Sequence, residues 1–319
     1  MQVSKRDLYI LVEGKPNSPE IAFFTQAIPK ILIDNGLSNI EPNVVEVGGA
    51  SSFNTFAQLG YRYSKLHQTI PVLAIADSDY KTSLSKQTEN HSKLIAAQRP
   101  KILYWARHEW ENYLLEETDF MVAWINQVPI KVGNADTTQK CYRKYDKQAD
   151  KKMLEDCLEK YFQNTIKVEY WECLKFNLAV QIKQYPAITK PANFENLTLT
   201  EIEEWFFSCA SKSEAVIKLK KKPEKLFEEI MKSLPWEKWL NQPLLIQFDV
   251  AKKRFRGKEA FNHLCQWIEK EFSIHKFDKN ALIREILKNL ATNASSALFR
   301  DLQNLLLPEL GYYHTVNSR

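Results

Sequence analysis

The chain has 319 residues, of which 44% are hydrophobic and 12% aromatic, so it is long enough to bury a substantial core. Its longest apolar runs are much shorter than the roughly 20 residues that cross a bilayer, and the sequence therefore predicts no membrane span. The formal net charge is +5. Residues 1–116 contain 12 basic and 12 acidic residues, so the whole excess lies in residues 117–319 and is a weak indication of a polyanionic partner.

Short apolar runs alternate with helix-length segments in the first 115 residues. The predicted strands are 7–13, 43–47, 71–77 and 101–106, and the predicted helices are 19–35, 51–67 and a weaker one at 89–98. This alternation is typical of βαβ units. We therefore expect residues 1–116 to form a small α/β domain, with an open, mainly parallel sheet and helices on both faces.

Residues 117–319 contain long, charged segments with helical spacing of their apolar residues, and they are predicted to form a mostly helical second domain. The predicted helices are 150–166, 198–222, 257–272 and 278–291, and one late strand is predicted at 243–250. The chain has only 8 glycines, which argues against a large all-β appendage with many tight turns. Its 5 cysteines include no CxxC pair, so we expect reduced thiols and a cytoplasmic protein.

Acidic residues follow three of the four predicted strands. Glu13 ends the first strand, Asp77 and Asp79 follow the third, and Glu109 and Glu111 follow the fourth. Because the carboxyl ends of parallel strands meet at one edge of a sheet, these carboxylates are expected to lie close together. Clustered carboxylates without His or Cys favour a hard cation such as Mg²⁺. Taken alone, an Asp-x-Asp after a strand is more often a turn or a helix cap.

The segments "LYILVEGKPNSPEIAFF", "VLAIADSDY" and "ILYWARHEWENYLL" together resemble the TOPRIM domain of topoisomerases, bacterial primases and OLD-type nucleases. The resemblance implies that Glu13 acts as a general base or metal ligand and that Asp77 and Asp79 bind Mg²⁺. We expect Mn²⁺ to be able to substitute for Mg²⁺. The "ENYLL" segment is similar to the nuclease branch found in OLD proteins and in the TOPRIM subunit of PARIS-type anti-phage systems. That likeness adds Glu111 to the site.

The chain departs from the nuclease branch at one position. Members usually carry an acid four residues after the first glutamate, and this chain has Asn17 there. An asparagine can still offer a carbonyl oxygen to a cation, and Glu20 lies about one helical turn further along. The loss of one charge leaves two-metal chemistry less secure than the binding of one metal ion.

Two sequence features are candidates for contact with nucleic acid. A basic segment in "AKKRFRGKEAF" follows the late predicted strand and supplies Lys252, Lys253, Arg254 and Arg256 for the backbone and Lys258 for charge stabilisation at the phosphate. A segment with Gly48, Gly49 and Ser51 precedes a predicted helix and is a candidate phosphate cradle. The simpler alternatives are a solvated charged face and a strand-to-helix turn.

The resulting expectation is a Mg²⁺-dependent nuclease that hydrolyses phosphodiester bonds in DNA or RNA. The resemblance further implies an anti-phage defence effector that works with an ATPase partner, and the chain has no GxxxxGK[ST] motif of its own. The alternative from another class is a TOPRIM-like module that binds nucleic acid or protein without cutting. The sequence does not distinguish DNA from RNA.

Overall fold

The fold is taken from a computed structural model, which describes residues 6–14, 18–49, 52–53, 55–56, 72–81, 86, 101–131, 141–219, 222–234 and 248–310. The strands are β1 (Arg6–Val12), β2 (Ile40–Glu46), β3 (Leu73–Ala76), β4 (Lys101–Tyr104), β5 (Tyr142–Arg143) and β6 (Ile274–His275). The helices are α1 (Pro19–Asp34), α2 (Glu111–Leu114), α3 (Thr118–Gln127), α4 (Lys151–Ile182), α5 (Leu199–Ser211), α6 (Glu214–Ile217), α7 (Pro223–Ser233), α8 (Phe248–Arg254), α9 (Gly257–Glu271), α10 (Lys279–Thr292) and α11 (Ala297–Leu310).

Strands β1 to β4 form a parallel sheet in the order β2-β1-β3-β4. The chain moves from β1 to β2 on one side and then returns to place β3 on the other side of β1. The strand order therefore reverses between β1 and β3, which is where open parallel sheets bind ligands. The predicted α/β class with a parallel sheet is confirmed.

Both faces of the sheet are buried, as expected for parallel strands. Along β1, Leu8 and Ile10 pack into the larger core on the α1 side, whereas Leu11 packs into a smaller core on the opposite side. In the smaller core, Tyr104 of β4 and Phe53 are also buried. The predicted helix 51–67 is described only at residues 52–53 and 55–56, and the predicted helix 89–98 lies outside the described residues.

Helix α1 joins the sheet to the helical part of the chain. It begins at Pro19, whose fixed φ suits the first helical position. Its buried residues recur one helical turn apart, from Phe23 to Leu32, and α10 and α11 pack against the helix. One hydrophobic cluster runs from Leu8 in β1 to Leu310 in α11 and continues across residue 116, where the sequence predicts a domain boundary.

The described end of the predicted late strand is helical. Residues 248–250 form the first turn of α8, and residues 243–247 lie outside the described part of the chain. The spacing of Phe248, Ala251 and Phe255 explains the helix, because it places apolar side chains on one helical face. Phe248 and Phe255 both pack against Phe162 of α4, with ring centroids 6.0 and 5.3 Å away.

The predicted helix 198–222 is divided. Helix α5 ends at Ser211, and Ser213 caps the short helix α6 by accepting a hydrogen bond from the Val216 N–H at 3.4 Å. Pro223 begins α7. The predicted helix 150–166 instead continues to Ile182, so α4 has 32 residues. Of the helices within the described residues, none is long and apolar enough to span a bilayer.

Candidate functional site

An acidic cavity of about 220 Å³ opens at the carboxyl edge of the sheet. Val12 of β1 pairs with Ile75 of β3, so the residues that follow these two strands emerge side by side. The charged side chains that line the cavity are Glu13, Glu20, Asp77, Glu109, Glu111 and Lys258. The structure therefore brings together at the switch point the acids that the sequence places after three separate strands.

The turn after β1 is built around Gly14. Its φ of +153° lies in the region that favours glycine, and its carbonyl accepts a hydrogen bond from the Gly48 N–H at 2.9 Å. A Cβ at Gly14 would lie 2.9 Å from Ser18 Oγ and 3.0 Å from Glu20 Oε1. The absence of a side chain at this position thus leaves room for the Glu20 carboxylate in the first turn of α1.

Replacing Gly14 with alanine is expected to destabilise the protein by about 2 kcal/mol, because the new methyl group meets both a disfavoured φ and two side-chain oxygens. Gly49→Ala is the matched control, since no atom lies within 4 Å of an added Cβ there. Urea denaturation of both variants measures the difference. Equal midpoints for the two variants would contradict this account of the turn.

The loop after β3 holds two aspartates in different positions. Asp77 lines the cavity, and its Oδ1 accepts a hydrogen bond from the Trp110 N–H at 3.1 Å. Asp79 has a φ of +44°, a left-handed conformation that aspartate tolerates better than most residues. Its Oδ2 lies 2.8 Å from Lys81 Nζ, and its charge raises the pKa of both Glu13 and Asp77. Asp79 therefore lies beside the cavity and is not part of its lining.

The segment after β4 supplies two more acids. Glu109 Oε2 accepts a hydrogen bond at 2.8 Å from the backbone N–H of Lys258, in the first turn of α9, where the helix dipole favours negative charge. Glu111 begins α2 and also faces the cavity. Burial raises the pKa of Glu20 and Glu111, and the positive charge of Lys258 offsets part of this rise by opposing the repulsion among the acids.

Burial and mutual repulsion disfavour the charged forms of these acids. Burial is the largest cause for each, and it raises the pKa of Glu109 to about 7 and, together with the neighbouring Glu109, that of Glu111 to about 8. Burial with the charges of Glu111 and Glu109 raises the pKa of Asp77 well above its usual value. Burial likewise raises the pKa of Glu13 and Glu20. A bound cation would relieve this cost, and an all-oxygen donor set suits Mg²⁺.

The side-chain positions set one condition on such an ion. Among the described residues, no three His, Cys, Asp or Glu side chains are close enough together to hold a metal ion as they stand. Ionised carboxylates separate when no cation lies between them, and glutamate side chains have the rotamer freedom to converge. The donor chemistry therefore fits Mg²⁺, provided that the carboxylates draw together on binding.

Asn112 fixes the position of Glu109. This fully buried side chain accepts a hydrogen bond from the Glu109 N–H at 2.7 Å and donates to the carbonyls of Lys252 at 2.6 Å and Phe255 at 2.8 Å. Gly257 lies against it, since a Cβ there would be 2.5 Å from the Asn112 backbone nitrogen. We call Asn112, its three partners and Gly257 the Asn112 clamp. It ties the α8–α9 connection to the acidic cavity.

A buried ion pair engages Arg256, one of the residues predicted to bind nucleic acid. Glu169 of α4 is 1% exposed, accepts a hydrogen bond from the Tyr80 hydroxyl at 2.6 Å and pairs with Arg256 Nε at 2.8 Å. The Arg256 guanidinium is thus engaged inside the protein. Lys252 is also partly internal, because its side chain is 13% exposed and its ammonium lies 4.5 Å from the centroid of the Phe248 ring, whereas Lys253 and Arg254 are exposed.

The sequence-predicted site residues therefore separate into groups. Glu13, Glu20, Asp77, Glu111 and Lys258 line one cavity. Asn17 and Ser51 lie outside the described residues. The sequence predicts Glu111, and not Glu109, as the ligand that follows the fourth strand, and the structure adds Glu109 to the cavity.

His108 is buried beside the loop that follows β3. It is 3% exposed, its ring packs edge-on against Tyr80 with the centroids 4.4 Å apart, and burial lowers its pKa to about 4. A neutral, enclosed imidazole of this kind supports the loop and leaves the chemistry to the neighbouring acids.

The fold and the cavity define an α/β protein with an acidic cavity at the switch point of a parallel sheet. Comparisons with family models, curated proteins and solved structures found no match to the chain. Its function is therefore inferred from the site.

Proposed function

We propose that the protein is a Mg²⁺-dependent nuclease that hydrolyses phosphodiester bonds in DNA or RNA, with Mn²⁺ able to substitute for Mg²⁺. The observation that carries the proposal is the convergence of Glu13, Glu20, Asp77, Glu109 and Glu111 on one cavity at the sheet's switch point. Without a cation, keeping five partly buried carboxylates ionised together would be costly.

Different residues of the chain would bind the ion and stabilise the phosphate. Glu13, Asp77 and Glu111 would hold the ion, with Asp79 beside them and Glu20 and Asn17 as further oxygen donors. When bound, the ion polarises the phosphate and lowers the pKa of a coordinated water. Glu109 is oriented by the Lys258 N–H, and the Lys258 ammonium lies at the cavity to stabilise negative charge on the phosphate.

The likeness to the TOPRIM domain supports the proposal. A Glu-Gly follows β1, an Asp-x-Asp follows β3 and a glutamate follows β4, in a four-stranded parallel sheet. The likeness to the OLD-type and PARIS-type branch extends it to an anti-phage effector that acts with an ATPase partner, because the sequence has no Walker-type motif of its own.

One observation favours the second candidate, a module that binds nucleic acid or protein without cutting. Among the described residues, no three acidic side chains lie close enough together to hold an ion unless they rearrange. A protein that never rearranges would bind phosphates through its basic residues and leave the cavity unused. The two candidates differ in metal binding as well as in cleavage.

The test is cleavage of a mixed DNA and RNA pool by the purified protein with Mg²⁺, Mn²⁺ or EDTA, in the absence and presence of candidate ATPase partners. We expect metal-dependent cleavage that falls by about 100-fold or more in Glu13→Gln, because a metal site contributes several kcal/mol to catalysis. Glu285→Gln, an exposed position on α10, is the matched control. A wild-type protein that is inert under all these conditions would leave the binding module as the better description.

A further inference from the structure

A cluster of basic side chains lies across the β3 loop from the acidic cavity. Lys81 Nζ and Lys86 Nζ lie 5.3 and 5.6 Å from the centroid of the same Tyr104 ring. Tyr104 belongs to the smaller core, whereas the cavity is lined by Ile75, which packs into the larger core on the opposite face of the sheet. Lys81 Nζ also lies 5.5 Å from the centroid of the Phe176 ring, which packs against the larger core, so the basic side chains lie at the carboxyl edge of the sheet beside the cavity.

The end of α8 brings Arg254 to this place. The carbonyl of Lys253 accepts a hydrogen bond from the His108 N–H at 3.0 Å, and the His108 carbonyl accepts one from the Asp79 N–H at 2.9 Å. These two bonds fix the end of α8 beside the loop after β3. Arg254 is exposed, and its charge contributes to lowering the pKa of Lys86 to about 8, after the larger effect of burial. We call Lys81, Lys86 and Arg254 the cation cluster.

The cation cluster is held in place by the protein. Lys86 Nζ donates a hydrogen bond to Ser78 Oγ at 2.5 Å, and the buried Ser78 hydroxyl donates to the carbonyl of Trp105. The Lys81 side chain is 21% exposed and lies 2.8 Å from Asp79. Lysines on an ordinary solvated face keep their full hydration and rotamer freedom, and these two have lost part of both.

The charges in the cluster are incompletely balanced by the described side chains. Three cations are brought together, and among the described residues Asp79 offsets their repulsion, with its carboxylate 2.8 Å from Lys81 Nζ. Like charges held close together are disfavoured unless an ion of opposite sign joins them. A phosphate offers several oxygens to lysine and arginine donors at once, which a single carboxylate does not.

We propose that the cation cluster is a phosphate subsite that holds a nucleic-acid backbone next to the acidic cavity. The identity of the ligand rests on the proposed function. Asp79 connects the two places, because it pairs with Lys81 on one side and its charge acts on Glu13 and Asp77 on the other. A strand whose scissile phosphate lies in the cavity would pass over the loop at residues 77–81 and place a neighbouring phosphate on the cluster.

The test is the binding of a fluorescein-labelled 15-nucleotide single-stranded DNA, and of the matching RNA, in Ca²⁺. All variants carry Asp77→Asn to prevent cleavage. Lys86→Gln with Arg254→Gln is expected to weaken binding by about tenfold, the low end for losing a hydrogen bond to a charged group. The slope of log K against log salt should become shallower by about 1.4, at about 0.7 for each cation on a single strand.

The matched control is Lys218→Gln with Lys232→Gln, which changes the net charge equally at two exposed ion pairs on α6 and α7. We expect this control to alter the affinity less than twofold. Lys86→Arg with Arg254→Lys keeps both charges and should retain the salt slope, which separates loss of charge from misfolding. If the charge-removing pair binds as tightly as the control, the subsite is wrong. Equal loss of binding to polyglutamate would point to an acidic protein partner and would also overturn the proposal.

The subsite and the nuclease proposal fail in different ways. If the wild-type protein never cleaves but the charge-removing pair still loses oligonucleotide binding, the subsite stands and the nuclease does not. If the wild-type protein cleaves, and the charge-removing pair neither weakens binding in the Asp77→Asn protein nor slows cleavage at low substrate concentration when Asp77 is kept, the nuclease stands and the subsite does not.

Discussion

Asp77→Asn is expected to lower metal-dependent cleavage on the order of 1,000-fold while making the metal-free protein more stable. The loss follows because a bound ion contributes several kcal/mol to transition-state stabilisation and each 1.36 kcal/mol is a factor of ten in rate. The substitution keeps the size of the side chain and leaves an oxygen to accept the hydrogen bond from the Trp110 N–H, which the wild-type Asp77 accepts at 3.1 Å. A fall in rate would thus report lost charge and not lost shape.

The gain in stability has a separate cause. Asp77 is surrounded by Glu111, Glu109, Glu13 and Asp79, and burial together with these charges disfavours its ionised form. Because a neutral amide carries no such cost, the free energy of unfolding in EDTA should rise by on the order of 1 kcal/mol at neutral pH. A residue with only a structural role would instead lose stability on substitution.

The cleavage assay measures the fall in rate, and thermal unfolding in EDTA and with increasing Mg²⁺ measures the gain in stability and the loss of metal binding. The midpoint of the wild-type protein should rise with Mg²⁺, since an ion that binds only the folded state stabilises it, and the Asp77→Asn midpoint should not. Asp119→Asn is the control, because this exposed carboxylate pairs only with Lys151 at the surface among its described contacts. Wild-type and Asp77→Asn midpoints that respond equally to Mg²⁺ would rule out Asp77 as a ligand.

The convergence of Glu13 and Asp77 was readable from the sequence because each of these acids directly follows a strand. The apolar runs before Glu13 and Asp77 predict strands, and parallel strands put their carboxyl ends at one edge. The observed β3 is shorter than the predicted 71–77, but it ends at Ala76, directly before Asp77. Strand length was therefore the less important part of the prediction.

The supporting contacts were not readable in the same way. Glu169 and Arg256 are 87 residues apart, and nothing local to either residue indicates that they pair in the interior. The run from Lys252 to Arg256 looks like one solvated basic face. Folding gives its members different environments, because α8 ends at Arg254 and the chain turns inward at Phe255. Side-chain partners that are distant in sequence depend on the packing of whole helices, which periodicity alone does not specify.

At residues 248–250, the described end of the predicted late strand, the prediction was wrong for a related reason. An apolar run of strand length is also compatible with a buried helix, and residues 248–250 continue into the helical spacing of Ala251 and Phe255. Packing against Phe162 of α4 therefore determines the helical conformation of residues 248–250, and the intrinsic propensity of the apolar run does not. The sequence did not indicate Glu109 as a ligand for a similar reason. Its position depends on where α9 begins, because its carboxylate accepts a hydrogen bond from the Lys258 N–H in the first turn of that helix.

Asn112→Ala is expected to lower the free energy of unfolding by about 4 kcal/mol and to weaken Mg²⁺ binding at the cavity. The side chain satisfies the Glu109 N–H and the carbonyls of Lys252 and Phe255 inside the protein. Each buried polar group left without a partner costs about 1–3 kcal/mol, and the removed side chain also leaves a cavity. Urea denaturation gives the stability change, and calorimetric titration with Mg²⁺ gives the change in affinity.

The control is Asn43→Ala, which removes one exposed hydrogen bond at 3.3 Å to the Glu41 carbonyl and should change stability by less than about 0.5 kcal/mol. Gly257→Ala reaches the same clamp from the other side, because its Cβ would lie 2.7 Å from Asn112 Oδ1 and so displace the amide without removing it. Both clamp variants should weaken Mg²⁺ binding in the same direction, since each releases the loop that carries Glu109. If Asn112→Ala unfolds at the same urea concentration as Asn43→Ala, the α8–α9 connection does not hold the acidic cavity in place.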